Sequence, residues 1–254
     1  MELLGSPDIL ALLFLAALIA GFVDALAGGG GLITLPALLL AQMPPVAAIA
    51  TNKLQASFGT LLSSWRMLGS GMIRWGQVRG LFWASVAGSA LGALLVQQVD
   101  PGVLEFVIPV VLVGMALYYL LVPSAVAASR PRLDERHYRR LIAPGIGFYD
   151  GFFGPGTGSL FAFTRNTLCG DSLLQSTARA KVMNFGSNVA SLAVFVAGGQ
   201  IAWLAGGIMI LGVMIGASLG SQLVVRGHVQ WIRPMIVLVC IAMATRYLWQ
   251  TLST

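Results

Sequence analysis

The chain has 254 residues, of which 57% are apolar and only 9% charged. A soluble globular domain carries about a quarter charged residues, so that class is excluded. The net charge of +6 does not indicate nucleic acid, because the arginines gather in short connections between apolar runs rather than along one water-facing stripe.

The first apolar segment covers residues 8–26. It lacks the basic leader and small-residue cleavage site of a signal peptide, since Glu2 and Asp8 are acidic, and is read as a mature membrane helix. Segments follow at 32–42, 46–69, 78–97 and 103–122, then at 141–153, 159–170, 172–198, 203–225 and 233–252. Those near 20 residues are long enough to cross the hydrocarbon core. The segments at 32–42, 141–153 and 159–170 are shorter and read as half-helices that meet inside the membrane.

The two halves repeat. Gly21-Phe22-Val23-Asp24 matches Gly147-Phe148-Tyr149-Asp150, and each is followed at equal spacing by Gly28-x-Gly30 and Gly154-x-Gly156. With a slightly longer offset, Lys53 meets Lys181, Trp75 meets Trp203, and Gly88 and Gly92 meet Gly216 and Gly220. The expected architecture is an all-α integral membrane protein of two five-segment repeats with about ten membrane segments. Residues 1–122 form the first repeat, 123–140 a basic cytoplasmic linker, and 141–254 the second repeat.

Five segments per repeat invert the second copy, and loop charge agrees. Arg130, Arg132, Arg136, Arg139 and Arg140 place the central connection in the cytoplasm. Counting spans puts Arg66, Arg74 and Arg79 inside, together with Arg226, His228 and Arg233, and puts the Asp100 and Gln200 turns and both termini outside.

In inverted-repeat carriers, paired broken helices mark a midplane site, where freed amides and helix N-termini face an anion. Here Gly28, Gly29, Gly30 and Gly31 lead into Thr34, and Gly154, Gly156, Thr157 and Gly158 lead into Ser159. Hydroxyls and glycine amides would supply donors, although glycines also permit close helix crossing, the role read for Gly88, Gly92, Gly216 and Gly220.

Lys53 and Lys181 are the only lysines, and both lie within apolar segments at matching positions. A cation near the bilayer centre costs about 2.5–3.5 kcal/mol on insertion scales, so it faces a partner or a watery cavity. Two readings stand: contact with an anionic substrate, or structural pairing with Asp24 and Asp150. The aspartates in turn read as proton relay, helix cap or counter-ion. Thr51, Asn52 and Gln55 in one half, and Thr177, Arg179, Asn184 and Asn188 in the other, could complete the donors.

Most tryptophans fall near segment ends, as interface anchors do. Cys169 and Cys240 have no metal-ligand spacing, and His137 and His228 lack neighbours for a zinc site or a triad. No catalytic residue, metal or cofactor is expected, and the chain is not read as an enzyme.

The run from Gly21 to Pro36, the run Ala50-Thr51-Asn52-Lys53-Leu54-Gln55, and the run from Gly147 to Gly156 together resemble the TauE/SafE sulfite-exporter family of bacterial inner-membrane permeases. The resemblance covers nearly the whole chain. It implies transport, usually outward, of sulfite, sulfonates or related sulfur compounds. It also carries function onto Asp24, the first glycine run, Thr51, Asn52, Lys53, Gln55, Asp150, the second glycine run and Lys181. The second half has Ala180-Lys181-Val182-Met183 where the first has Asn52-Lys53-Leu54-Gln55, so the half-sites differ chemically.

The function expected is alternating-access export of a small anion, which an inside-negative potential alone could drive. The partners expected are that anion and membrane lipid, with a homodimer admitted and no nucleic acid. The rivals are a permease for a carboxylate or zwitterion and, further off, a membrane enzyme or scaffold.

Overall fold

The structure is a computed structural model, and it describes residues 6–121 and 131–225. In chain order the elements are α1 (Pro7–Ala27), α2 (Gly31–Leu40), α3 (Pro45–Gly69), α4 (Trp75–Val96), α5 (Pro101–Leu121), α6 (Glu135–His137), α7 (Ala143–Phe152), α8 (Thr157–Cys169), α9 (Leu173–Ala197) and α10 (Trp203–Val225). Nine of the ten expected segments are therefore helical. The tenth, at 233–252, lies outside the described residues, as do Cys240, His228, Trp231, Trp249 and the loop holding Arg226 and Arg233.

The sixth segment differs from expectation at its start. Asp134 caps the helix by accepting the His137 N–H, and a π-helical stretch (Tyr138–Ile142) joins α6 to α7 without a break. The helix thus begins at Glu135, inside the basic stretch expected to be a linker. Arginines at 136, 139 and 140 hide its start from a hydropathy reading. The His137 N–H, joined by the His137 ring, holds the Asp134 carboxyl below the usual carboxylate range.

Prolines open two of the helices, where a missing N–H costs nothing: Pro7 in α1 and Pro45 in α3. Glycines in the left-handed region close others. Gly28, at φ +80°, ends α1 and donates its N–H to the Asp24 carbonyl, and Gly170, at φ +73°, ends α8.

By length and composition α1, α4, α9 and α10 can each cross a membrane, while α2 is a short apolar helix. Helix α3 has 25 residues but carries Lys53, Arg66 and a run of Thr, Asn, Gln and Ser. Those polar residues are buried: Thr51, Asn52, Lys53, Gln55, Ser57, Thr60 and Ser63 on α3, and Ser176, Lys181, Asn184, Ser187, Asn188 and Ser191 on α9. Leu12, Leu15, Trp65, Phe106, Leu204 and Leu211 instead face outward. A seam of polar residues within an apolar core, inside an apolar exterior, suits lipid as solvent. Trp65, Trp75 and Trp203 are exposed near helix ends as expected, whereas Trp83 is exposed well inside α4.

Small residues set the packing. On α4, Gly88 lies against the Pro144 carbonyl and Gly92 against that of Phe148, both on α7. On α10, Gly216 and Gly220 lie against the Leu18 and Phe22 carbonyls of α1. A methyl group at any of the four would strike backbone, so these glycines serve close crossing. In both pairs residue numbers rise together, so α4 runs parallel to α7 and α10 to α1.

Two further pairs are also parallel. Ser85 and Ser89 of α4 donate to the Met183 and Ser187 carbonyls of α9, at 2.8 and 2.6 Å. Thr51 accepts the Ala202 N–H beside the start of α10 at 3.1 Å, and Arg66 reaches Ser218 and Ser221 near its end. Exchanging first-half for second-half helices maps this pattern onto itself: α1 on α10 becomes α7 on α4, and α3 on α10 becomes α9 on α4. Helices α3 and α9 also touch each other at the centre.

Candidate functional site

Two helix breaks, residues 28–30 and 153–156, come together in the interior. Gly28 lies directly on Gly158 and Ser159, and Gly31 lies against Pro155. Only glycine fits at 28, because its φ is positive and a Cβ there would overlap the Gly158 backbone.

Each lysine crosses to the break of the other half. Lys53, on α3, puts its ammonium 2.7 Å from Asp150 Oδ1 and 3.2 Å from Asn188 Oδ1, and it packs against Gly154. Gly154 has φ +94°, and a side chain there would press on the Lys53 Nζ. Lys181, on α9, donates to the Asp24 carbonyl and lies 3.1 Å from Asp24 Oδ2. The Asp24 carbonyl also takes the Gly28 N–H, so this ammonium sits at the turn that ends α1. In this conformation each aspartate faces a lysine, and Asp24 also caps its break by accepting the Gly30 N–H at 3.3 Å.

Around Lys53 the buried polar residues form two hydrogen-bonded groups, Thr34–Asn52–Gln55 in the first half and Lys53–Asn188–Asn184 across the halves. Thr34 donates to Asn52 Oδ1 at 2.5 Å, and Gln55 donates to Asn52 Oδ1 at 2.8 Å and to Thr34 at 3.3 Å. Asn188 donates to Asn184 Oδ1 at 3.2 Å, and Asn184 lies beside Gly158. Asp24, Asn52, Lys53, Gln55, Thr34, Asp150, Lys181, Asn184 and both glycine runs therefore lie close together around the two breaks.

Other expected donors are committed elsewhere in this conformation. Thr157 and Ser159 donate back to the Gly154 and Gly156 carbonyls, at 2.8 and 2.6 Å. The N–H groups of Leu32 and Thr34 bond to Gly29 and Gly30 within the first break. Thr51 stands on another face of α3, where it satisfies the backbone beside α10. Thr177 donates to the Leu173 carbonyl of its own helix. The positive charge at the breaks accordingly comes from the lysines more than from a nest of amides.

Sequence reasoning missed a second charged cluster. Arg165 of α8, 1% exposed, donates to Asp171 and to Glu135, each at 2.7 Å, with its guanidinium over the Tyr138 ring. Arg179, expected among the anion donors, bonds Asp171 instead, at 3.2 Å. The cluster ties together the ends of α6, α8 and α9. Its signal was available, because an arginine within the apolar segment 159–170 is as anomalous as the lysines.

Among the described residues no three His, Cys, Asp or Glu side chains are grouped to hold a metal ion. Cys169 is a free, half-buried thiol.

A multi-pass helical bundle with charged groups at interior helix breaks is the build of a membrane carrier. Comparison with known proteins agrees: the model of the family "Sulfite exporter TauE/SafE" matches residues 13–247. A probable membrane transporter protein of Haemophilus influenzae is 42% identical over 243 residues, covering 95% of each chain. The probable membrane transporter protein YfcA of Escherichia coli K12 is 41% identical over 247 residues, covering 97% of this chain and 92% of its own. A probable membrane transporter protein of a Sinorhizobium species, ORF9, is 42% identical over 241 residues, covering 94% and 92%. The chain belongs to the TauE/SafE family and is a multi-pass membrane transporter. No solved structure matches it.

Proposed function

We infer that this transporter carries a small anion, namely sulfite, an organosulfonate or a related sulfur compound, across the bacterial inner membrane by alternating access. The observation that carries the reading is the crossing of the lysines. Each ammonium is held at the helix break of the opposite half, beside the point where the two breaks touch. A group that rearranges when the halves move against each other must be bound by both, and these lysines are.

Several contacts support an inverted relation of the repeats. Helices α3 and α10 run together, as do α4 and α9, while short turns join α3 to α4 and α9 to α10. Helix α3 then opposes its counterpart α9. Arg139 lies against Gly80, so the arginine-rich stretches around 66–80 and 139 share one end, which the positive-inside rule makes cytoplasmic. Gly198 lies against Gln97, so the Asp100 and Gln200 turns share the other.

One observation favours a second reading. Each lysine has a carboxylate beside it, and such a pair also suits a zwitterion with a sulfonate at one end and an ammonium at the other.

The test is equilibrium exchange of labelled sulfite in proteoliposomes, competed by methanesulfonate, an aminosulfonate and acetate. Competition by sulfonates and not by acetate supports the anion reading. Competition by the aminosulfonate alone moves it to zwitterions, and competition by acetate alone contradicts a sulfur substrate.

A further inference from the structure

The two lysines are not free in this conformation. Each is neutralised by an aspartate, so an anion that takes Lys53 must displace Asp150 from it. The displaced carboxylate would be left in a buried, low-dielectric place without its counter-charge, an arrangement that proteins avoid by neutralising the group.

The pair is already incomplete on one side. Asp150 is 1% exposed, and its second oxygen, Oδ2, has no hydrogen-bond partner. Gln55 Oε1, in the separate buried group with Thr34 and Asn52, is likewise unpartnered. Both orphaned atoms are acceptors. An anion satisfies neither, whereas a proton on Asp150 turns an acceptor into a donor. A metal cation is a poor occupant, because the Lys53 ammonium already sits 2.7 Å from the other carboxylate oxygen.

Among the described residues, the surroundings of Asp150 offer no other charge to do this work. From α3 it faces Lys53, and from its own helix Tyr149, whose phenol donates to the Pro155 carbonyl at 2.7 Å. Helix α4 brings Ser89 against neighbouring Gly151, α8 brings Thr157, and α9 brings Asn188, all neutral. Lys181 of α9 is engaged with Asp24, and Arg139, on the preceding π-helical stretch, lies against Gly80.

We propose that Asp150 is the coupling-proton site and that one proton crosses with each anion. The proton adds to Oδ2 and breaks the ion pair, and the freed Lys53 ammonium takes an oxygen of the substrate. On the far side the anion leaves, the O–H proton returns to water, and the Lys53–Asp150 pair re-forms. Only one O–H bond is made and broken, and nothing is oxidised or reduced. The empty carrier returns with its charges paired. A monoanion then moves without net charge, so flux follows the anion and proton gradients rather than the membrane potential that the sequence suggested as a sufficient drive. The proposal rests on the anion-carrier reading above.

The test uses the full chain in proteoliposomes with methanesulfonate, whose sulfonate stays ionised at every working pH, and with the potential clamped at zero. Exchange at equal concentrations reads the carrier itself. Net uptake under an acid-outside gradient reads coupling, and an entrapped pH dye counts protons. A tenfold proton gradient is expected to sustain up to about tenfold accumulation, with one proton entering per anion. In Asp150→Asn, net uptake is expected to fall at least tenfold while exchange slows much less, because only the empty return must bury an unpaired Lys53. Native exchange without response to the proton gradient, or undiminished gradient-driven uptake by Asp150→Asn, overturns the proposal. Absence of native exchange overturns the sulfonate-carrier reading beneath it. The native measurements decide the matter even if the variant fails to fold.

Discussion

The Lys53–Asp150 and Lys181–Asp24 pairs are made by residues at matching positions of the two halves, yet they are built differently. Both lysines are buried, but the Asp150 side chain is 2% exposed and that of Asp24 17%. Asp24 has both oxygens partnered, one by Lys181 and one by the Gly30 N–H, whereas Asp150 has one. The breaks explain the difference. Gly30 has φ −56° and aims its N–H back at Asp24, while its counterpart Gly156 has φ +77° and follows Pro155, so it does not serve Asp150. The two halves thus hold one saturated pair, suited to holding the breaks together, and one unsaturated pair, suited to exchanging partners.

The sharpest way to break the comparison is to remove each lysine. Lys53→Ala leaves Asp150 buried without a counter-charge and should cost about 3–5 kcal/mol, read by thermal unfolding in detergent. Adding Asp150→Ala should return part of that loss, and no recovery would mean that Lys53 acts through packing alone. Arg165→Ala lies outside both pairs and should cost about 3 kcal/mol, because Asp171 would lose its closest partner in the cluster. Unchanged unfolding would mark that cluster as dispensable.

Lys181→Ala should cost less, about 1.5–3 kcal/mol, because Asp24 keeps the Gly30 N–H and some access to solvent. Equal losses from the two lysines would erase the distinction between the pairs. The smallest effect is expected for Gly156→Ala, about 1–2 kcal/mol from the left-handed backbone alone. A neutral or stabilising result would show that the second break relaxes freely.

Much of the helix order was legible from hydropathy and glycine punctuation, because lipid demands long apolar runs and left-handed glycines end helices locally. The start at Glu135 was not, because its first turns are charged. That the lysines and aspartates belong together was also readable, since four intramembrane charges at matched positions need partners. Their crosswise pairing was not, because it depends on how the halves pack rather than on any spacing within one. The Arg165 cluster escaped a search guided by the repeat: the offset that takes Asp24 to Asp150 takes Leu39 to Arg165, so nothing in the first half announces it. Thr51 was singled out by its neighbours, and its obligation to the Ala202 N–H is a tertiary contact that composition does not reveal.

The central claim, that the Lys53 ammonium binds the transported anion, is tested most directly by a variant that removes the charge without stranding its partner. Labelled sulfite exchange should be measured in proteoliposomes for the native chain and for Lys53→Gln combined with Asp150→Asn, with size-exclusion profiles matched. The account predicts exchange reduced at least tenfold in a folded double variant. Exchange at the native rate would contradict it and leave the pair a structural device.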